Sequence, residues 1–171
     1  MPGKKRDAES LQDLIDRSWR GAGAPLRAAW PEAHRMAADQ LLSFCEGQRH
    51  CVLGVTLASG YPLLIPVSFH LAPPGTIWLP TGPGSMRLEV LRKNPRAAVM
   101  IGQAVSDHHR AVLARGPVEL VASSMLPARV AREAGEKLGD LRWAELWIRL
   151  MPNRLLGYDA GSEGSRSASP G

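Results

Sequence analysis

The segments Cys51-Val-Leu-Gly-Val-Thr-Leu57 and Leu63-Leu-Ile-Pro-Val-Ser-Phe69 carry the first strong structural signal in the chain. Both are short, rich in Val, Leu and Ile, and flanked by turn residues, which is typical of β-strands. The residues between them, Ala58-Ser-Gly-Tyr61, form a turn short enough for an antiparallel hairpin. The stretch therefore predicts a β-hairpin within a sheet.

Further strand segments follow this hairpin, after the breakers Pro73-Pro74-Gly75 and Asn94-Pro95. Residues 85–93 and 123–138 have helical patterns and lie between these strands. Because the helices do not alternate with the strands as repeated βαβ units, a barrel is favoured over a doubly wound sheet. We expect a mainly β fold with flanking helices and about six strands. The further strand candidates are 76–79, 97–101 and 110–121, with a last pair of short segments at 146–150 and 154–158.

The two ends of the chain differ from the strand-rich middle. Apolar residues at helical spacing, followed by Gly21, Gly23 and Pro25, predict a leader over residues 1–30 with a short amphipathic helix on a loose tether. Pro31 is expected to open a second helix that ends at Gly47 and lies against the barrel. Residues 31–160 then form the main domain, and the Gly/Ser-rich residues 161–171 are expected to be disordered.

Composition narrows the class of protein. With 171 residues, 44% hydrophobic and 22% charged, the chain is typical of one globular domain. No apolar run is long enough for a transmembrane helix, no export signal is evident, and two cysteines are too few for a disulfide framework. These features predict a soluble cytoplasmic protein without a membrane partner.

The formal charge of +5 is compatible with an anionic partner. Much of the excess lies in the first six residues and at Arg87, Arg92, Lys93 and Arg96, and these positions do not form one long basic helix with interleaved aromatics. A phosphorylated small molecule is therefore preferred over nucleic acid. A nucleic-acid-binding module stays open as a third hypothesis, and it requires strongly salt-dependent binding.

The best anion site in the sequence is Thr81-Gly-Pro-Gly-Ser-Met-Arg87, between a strand and a helix. The first amides of a helix are free to meet a phosphate, Gly82 and Gly84 permit close approach, and Arg87 offers a charged donor. The alternative is structural, with Ser85 capping its own helix. The lysine of a P-loop and the glycine pattern of a dinucleotide fold are both missing.

Histidines are the other candidate chemical groups. His108 and His109 are adjacent on a predicted strand and point to opposite faces, so they are not expected to share a metal, and no metal site is predicted. We expect His109 to face the cofactor or to donate a proton, the alternative being that both lie in a loop without a chemical role. His70 is open to the same two interpretations. No nucleophile elbow is present, and neither cysteine has a recognisable base partner.

Over about residues 31–159 the chain resembles the pyridoxamine 5'-phosphate oxidase-like flavin-binding family. The resemblance lies in the order of elements together with five strings, namely Ile65-Pro-Val-Ser-Phe69, Thr81-Gly-Pro-Gly-Ser85, Leu91-Arg-Lys-Asn-Pro95, Arg115-Gly-Pro-Val-Glu-Leu120 and Pro152-Asn-Arg-Leu-Leu-Gly-Tyr158. It implies a split β-barrel that usually forms a homodimer, with two cofactor sites at the subunit interface. It also implies that Pro66, Val67 and Ser68 contact the isoalloxazine ring, and that the segment from Thr81 to Arg87 holds the phosphate.

One departure from the family concerns the phosphate. Where family members often carry Ser-Arg-Lys, this chain has Ser85-Met86-Arg87. Arg87 replaces the charge of the lysine, but Met86 does not replace an arginine. Either the phosphate is held less strongly, or a second basic residue comes from elsewhere, and the next basic pair, Arg92 and Lys93, is expected to be a solvated face.

The resemblance implies an oxidoreductase in which bound FMN, or the deazaflavin F420, exchanges hydride with a small organic substrate. FMN is preferred narrowly, and haem is less expected. The alternative is a non-catalytic flavin or haem carrier of the same fold, because no residue is required to be a catalytic acid or base. Oxidation of pyridoxamine phosphate itself is not expected, since the C-terminal substrate-binding segment of the true oxidases has no counterpart here.

Overall fold

The computed structural model describes residues 2–105 and 108–161. Residues 162–171, most of the expected disordered tail, lie outside the described residues, as does the side chain of His108. The fold is an antiparallel sheet curled into a split barrel and flanked by helices. Its helices are α1 (Pro2–Arg20), α2 (Ala24–Ala29), α3 (Ala38–Glu46), α4 (Met86–Lys93) and α5 (Ala128–Leu138), none of which is long and apolar enough to cross a membrane.

Eight strands are present in the described residues, where about six were expected. The hairpin of β1 and β2 is confirmed, with Leu53 opposite Ile65. The additional strand β3 follows β2 after Phe69 alone, so the apolar pattern gave no sign of a break. The strands are β1 (His50–Thr56), β2 (Pro62–Ser68), β3 (His70–Ala72), β4 (Thr76–Thr81), β5 (Arg96–Val105), β6 (His108–Ala122), β7 (Leu146–Leu150) and β8 (Arg154–Asp159).

The strands follow the order β2-β1-β5-β6-β7-β4-β3, and β8 also pairs with β6. Strand β6 is central because it spans 15 residues and has three partners. Its residues 108–117 pair with β5, its residues 110–115 pair with β8, and its residues 118–122 pair with β7. One continuous strand thus belongs to both parts of the sheet.

Gly116 marks the point where β6 changes partner from β8 to β7. The connection between β7 and β8 crosses here, because the amide of Met151 donates to the carbonyl of Pro117 and that of Asn153 donates to the carbonyl of Arg115, each over 3.0 Å. A Cβ at position 116 would overlap the carbonyl oxygen of Met151 and lie 3.0 Å from the nitrogen of Asn153. The position therefore requires glycine.

The N-terminal helix is longer than the short helix expected in the leader. Helix α1 spans 19 residues, and its Leu11 and Ile15 are fully buried in the same core as the barrel residues Leu53 and Ile101. The hydroxyl of Ser18 also accepts a hydrogen bond from the amide of Leu155 in β8, at 2.9 Å. Helix α1 therefore packs as part of the barrel core.

The expectation that Pro31 opens the second helix is wrong. Residues Glu32–His34 form one turn of 3₁₀ helix, and α3 begins only at Ala38. The intervening chain instead pairs with β8. Arg35 forms a β-bridge with Tyr158, and the amide of Met36 donates to the carbonyl of Gly157. Pairing with β8 therefore overrides the helical pattern at this point.

We predict that Gly116→Ala destabilises the fold, because the new methyl group cannot avoid a backbone carbonyl. Overpacking costs of this kind are about 1–3 kcal/mol or more in the free energy of unfolding, which urea denaturation measures. Gly135→Ala in α5 is the matched control, since an added Cβ there meets no atom within 4 Å and alanine favours a helix by about 0.5–1 kcal/mol. Equal stability of the two variants would contradict the crossing at Gly116.

Candidate functional site

The predicted anion turn, residues 81–87, is built at the end of β4. Thr81 is fully buried, and its hydroxyl oxygen accepts a hydrogen bond from Nε of Arg87 at 2.9 Å. The same oxygen lies 3.2 Å from the hydroxyl of Ser85. These three residues, predicted from the sequence, are therefore brought together by one network.

The start of α4 is open to a ligand. Ser85, the residue before the helix, has extended backbone and its side chain does not cap the helix, so the structural interpretation of Ser85 is not supported. Gly84 has a φ of +72°, and an added Cβ there would meet no atom within 4 Å. The first amides of α4 thus lack a side-chain cap from Ser85, and the space beside Gly84 is open, as anion binding requires.

Arg87 supplies charge at this turn. Burial lowers the pKa of its guanidinium from the usual range, yet arginine stays charged at neutral pH. In the described part of the chain, no carboxylate oxygen lies within 4.0 Å of the Arg87 guanidinium, so Arg87 has no ion-pair partner there. The guanidinium and the helix amides therefore form a positive site whose counter-ion is not supplied by the described residues.

Strand β2 lies at the end of the sheet order, with β1 on one side only. One row of its backbone donors and acceptors is therefore not used by a neighbouring strand among the described residues. Strand β2 also approaches β4, the strand that ends in Thr81. Residues 66–68 lie at the end of this edge strand.

The side chains of residues 66–68 differ in their exposure. Pro66 is exposed and Ser68 is half-buried, whereas Val67 is 7% exposed and belongs to the hydrophobic core. Strand alternation is the reason, because neighbouring side chains point to opposite faces. Val67 can offer a ligand its backbone but not its side chain.

His109 is not brought to the anion turn within this chain. It is exposed and meets Tyr158 edge-on, with ring centroids 6.3 Å apart. Tyr158 stacks on Trp30 at 5.0 Å and contacts His34 at 5.8 Å. His109 thus belongs to an aromatic cluster between β6, β8 and the chain before α3. Of the other aromatic side chains, Trp78 and Trp147 are buried, while Trp143 is about half exposed.

The cysteines do not add a nucleophile. Burial raises the pKa of the thiols of Cys45 and Cys51 to about 12, so both are protonated at neutral pH. Among residues 2–105 and 108–161 there is also no group of three His, Cys, Asp or Glu side chains placed to hold a metal ion. The chemistry that the anion turn can perform by itself is therefore binding and orientation.

A second cleft, not predicted from the sequence, lies between α3, β3 and α5. His70 lines this cleft, is 7% exposed, and its Nε2 is fully buried without a hydrogen-bond partner, 3.4 Å from a carboxylate oxygen of Glu133. Glu133 accepts a hydrogen bond from Nε of Arg129 at 2.8 Å. The only signal in the sequence is the amphipathic pattern of α5, which does not reveal what its polar face meets.

Comparison with known proteins identifies the family of the chain. A sequence model described as pyridoxamine 5'-phosphate oxidase matches residues 37–155. The chain belongs to this family. A search of curated protein sequences finds no significant match.

Solved structures share the fold at low sequence identity. A conserved hypothetical protein from Mycobacterium tuberculosis is 18% identical, with a TM-score of 0.60 over 83% of this chain and 96% of the other. An FAD-binding protein from Mycobacterium smegmatis is 15% identical, with a TM-score of 0.57 over 74% and 97%. HutZ, the haem storage protein of Vibrio cholerae, is 17% identical, with a TM-score of 0.58 over 70% and 94%. The pyridoxamine 5'-phosphate oxidase fold thus occurs in proteins named for flavin and for haem.

We predict that His70 makes the fold sensitive to acid. Burial lowers its pKa, against the opposing effect of Glu133 and with smaller contributions from Lys137 and Arg129. The unfolded chain, with a histidine pKa of about 6.5, then binds more protons than the folded protein, so stability is lost as the pH falls through about 6.5. The loss of unfolding free energy between pH 7.5 and 5.5 should be smaller in His70→Gln.

The exposed His50 provides the control, as His50→Gln should keep the pH dependence of the parent protein. Denaturant titrations of the three proteins at both pH values measure the effect. An unchanged pH dependence in His70→Gln would show that His70 does not oppose protonation in the folded protein.

Proposed function

We propose that this protein binds a phosphorylated flavin or deazaflavin, with the phosphate at the anion turn and the ring along the free edge of β2. The observation that carries the proposal is Arg87, a half-buried guanidinium without a carboxylate partner in the described chain, hydrogen-bonded to Thr81 beside an uncapped helix start. Membership of the pyridoxamine 5'-phosphate oxidase family supports the same choice.

Each residue of the anion turn has a separate role in binding the cofactor in this proposal. Arg87 and the first amides of α4 bind the phosphate, while Thr81 holds the guanidinium in place. Ser85 offers a hydroxyl, and Gly82 and Gly84 let the phosphate approach the backbone. Met86 is 56% exposed and adds no charge, so the phosphate depends mainly on one arginine.

FMN is the preferred cofactor, with F420 as the alternative. Both carry a phosphate on a ribityl-type chain, and F420 adds an acidic tail that requires a further basic groove. Two similar structures are named as FAD-binding proteins, and the open side of Gly84 leaves room for a longer cofactor. FAD therefore belongs in the same binding test.

We infer an oxidoreductase that acts on a small organic substrate. A flavin or deazaflavin supplies hydride transfer when bound. The residues of this chain bind the phosphate, orient the ring through the backbone of β2 and cover one of its edges. The candidate substrate face is the side of the ring turned away from β2.

A non-catalytic carrier remains the second candidate. Arg87 is the only titratable side chain among residues 81–87, so the described turn provides no acid or base for a proton-coupled step. HutZ, which shares the fold, is named as a haem storage protein. Turnover of the loaded protein with a reductant separates an oxidoreductase from a carrier.

We further propose a homodimer, built through a sheet face that is unusually apolar for a surface. Leu64 is 66% exposed and Met100 is 45% exposed. In the strand register, Leu64 lies beside Gly54 and Ala98, while Pro66 lies beside Val52, Met100 and Leu113. We call these seven residues the outer sheet face. Contiguous exposed apolar surface of this kind marks an interaction site.

Removing the charge of Arg87 should weaken FMN binding while leaving riboflavin, which lacks the phosphate, unaffected. One charge-assisted contact contributes about 1.5–3 kcal/mol, so Arg87→Ala should raise the Kd for FMN roughly 10- to 150-fold. Quenching of flavin fluorescence measures both ligands. Arg92→Ala, an exposed arginine on the same helix, is the matched control. Equal losses for FMN and riboflavin, or none for either, would remove Arg87 from the phosphate site.

A charge placed on the outer sheet face should separate the proposed dimer. Met100→Glu changes an exposed side chain that lies between Val52 and Leu113, so the folded monomer should tolerate it. Size-exclusion chromatography with light scattering should give a dimer for the parent protein and a monomer for the variant. Ala28→Glu on the exposed surface of α2 should remain dimeric. A dimeric Met100→Glu would exclude this face as the interface.

A further inference from the structure

The second cleft has no residue in common with the anion turn. Helix α3, strand β3 and helix α5 enclose it, and its volume is about 840 Å³. Cavities of roughly 300–1,000 Å³ are typical of sites for small organic molecules. The cleft is therefore large enough for a ligand of its own.

Two cations line this cleft without an ion-pair partner among the described residues. Lys137 is half-buried, and its Nζ donates to the carbonyl of Cys45 at 2.8 Å and lies 4.1 Å from the centre of the Phe69 ring. Arg49 donates through one terminal nitrogen to the carbonyl of Leu138, also at 2.8 Å. These contacts fix both side chains at the ends of α3 and α5.

These contacts leave hydrogen-bond donors unused on both Lys137 and Arg49. An ammonium has three donors and a guanidinium has five, so both keep donors for a ligand oxygen. Burial lowers the pKa of Lys137, against the opposing effects of Cys45, Cys51 and Glu46. An anion in the cleft would compensate this charge.

The remaining charges of the cleft favour an anion that carries a single negative charge. Glu133 is already neutralised by Arg129, which it meets at 2.8 Å. Glu46 and Glu136 also line the cleft, and they would repel a second negative charge. A monoanion such as a carboxylate therefore fits better than a phosphate dianion.

The same cleft offers apolar surface to the rest of the ligand. Leu42, Leu71 and Pro73 line it, and Leu71 is nearly buried. Burial of a hydrocarbon body against such a wall is favourable, at about 25 cal/mol for each Å². The two cations and the apolar wall of the cleft together fit an amphipathic ligand.

We propose that the cleft between α3, β3 and α5 binds a small organic monocarboxylate, whose carboxylate is held by Lys137 and Arg49 and whose apolar body lies against Leu42, Leu71 and Pro73. The site is separate from the flavin phosphate site and does not depend on it. The assignment goes beyond cofactor binding, since it gives the protein a second ligand of different chemistry.

Calorimetric titration of the full-length protein with octanoate and with octanamide tests the proposal, because the two probes share the same chain and differ in charge. Octanoate should bind at one site per chain, and octanamide should bind at least about tenfold more weakly. Lys137→Met and Arg49→Met should each weaken octanoate binding about tenfold or more, as expected for loss of a charge-assisted contact. Lys93→Met, an exposed lysine on α4, should bind like the parent protein.

Thermal melting of each variant separates loss of the site from loss of the fold, since Lys137 and Arg49 also contact the ends of helices. Arg49 is exposed and gives the variant that should fold best. Equal binding of octanoate and octanamide would overturn the proposal. So would octanoate binding that is unchanged in a folded Arg49→Met or Lys137→Met protein, or no octanoate binding by the parent. FMN affinity should be the same in all of these variants, so failure here leaves the flavin proposal intact.

Discussion

The close approach of the Met151 carbonyl to Gly116 is the contact on which both parts of the sheet depend. Strand β6 pairs with β5 and β8 before this point and with β7 after it. Without a glycine the crossing chain would be pushed away, and the pairing on one side would be lost. The close approach at Gly116 therefore adds a backbone constraint to the apolar core that holds the barrel.

The candidate sites follow from this sheet order. Pairing of β7 with β4 fixes Thr81 opposite Leu146, which sets the start of the anion turn. Pairing of β3 with β4 places His70 opposite Trp78, at the edge against which α5 packs. The anion turn and the second cleft thus lie along neighbouring strands, yet each has its own cations and is built from separate side chains.

Much of the fold was predictable because strands and helices leave local patterns. The hairpin, α4 and the glycine-rich turn were expected within a few residues of their observed bounds. The network of Thr81, Ser85 and Arg87 was also predictable, because all three lie within seven residues of sequence. Strand β3 was not, since Phe69 continues the apolar run of β2, and α3 began late because pairing with β8 is a long-range effect.

The parts of the sites that were missed involve residues far apart in sequence. Lys137 meets Cys45, and Arg49 meets Leu138, across about ninety residues. No local pattern predicts such a contact. Val67 illustrates the converse case, since it lies in a string that resembles the family while strand alternation turns its side chain into the core. Spacing along the chain therefore locates a turn well and a cleft between helices poorly.

The absorption spectrum of the purified protein, recorded after incubation with FMN, FAD, F420 or haem and removal of unbound cofactor by desalting, tests the flavin assignment most directly. If the turn between β4 and α4 holds the phosphate, a flavin or deazaflavin band should remain at about one cofactor for each chain. Retention of a haem Soret band alone, or of no cofactor at all, would contradict the assignment.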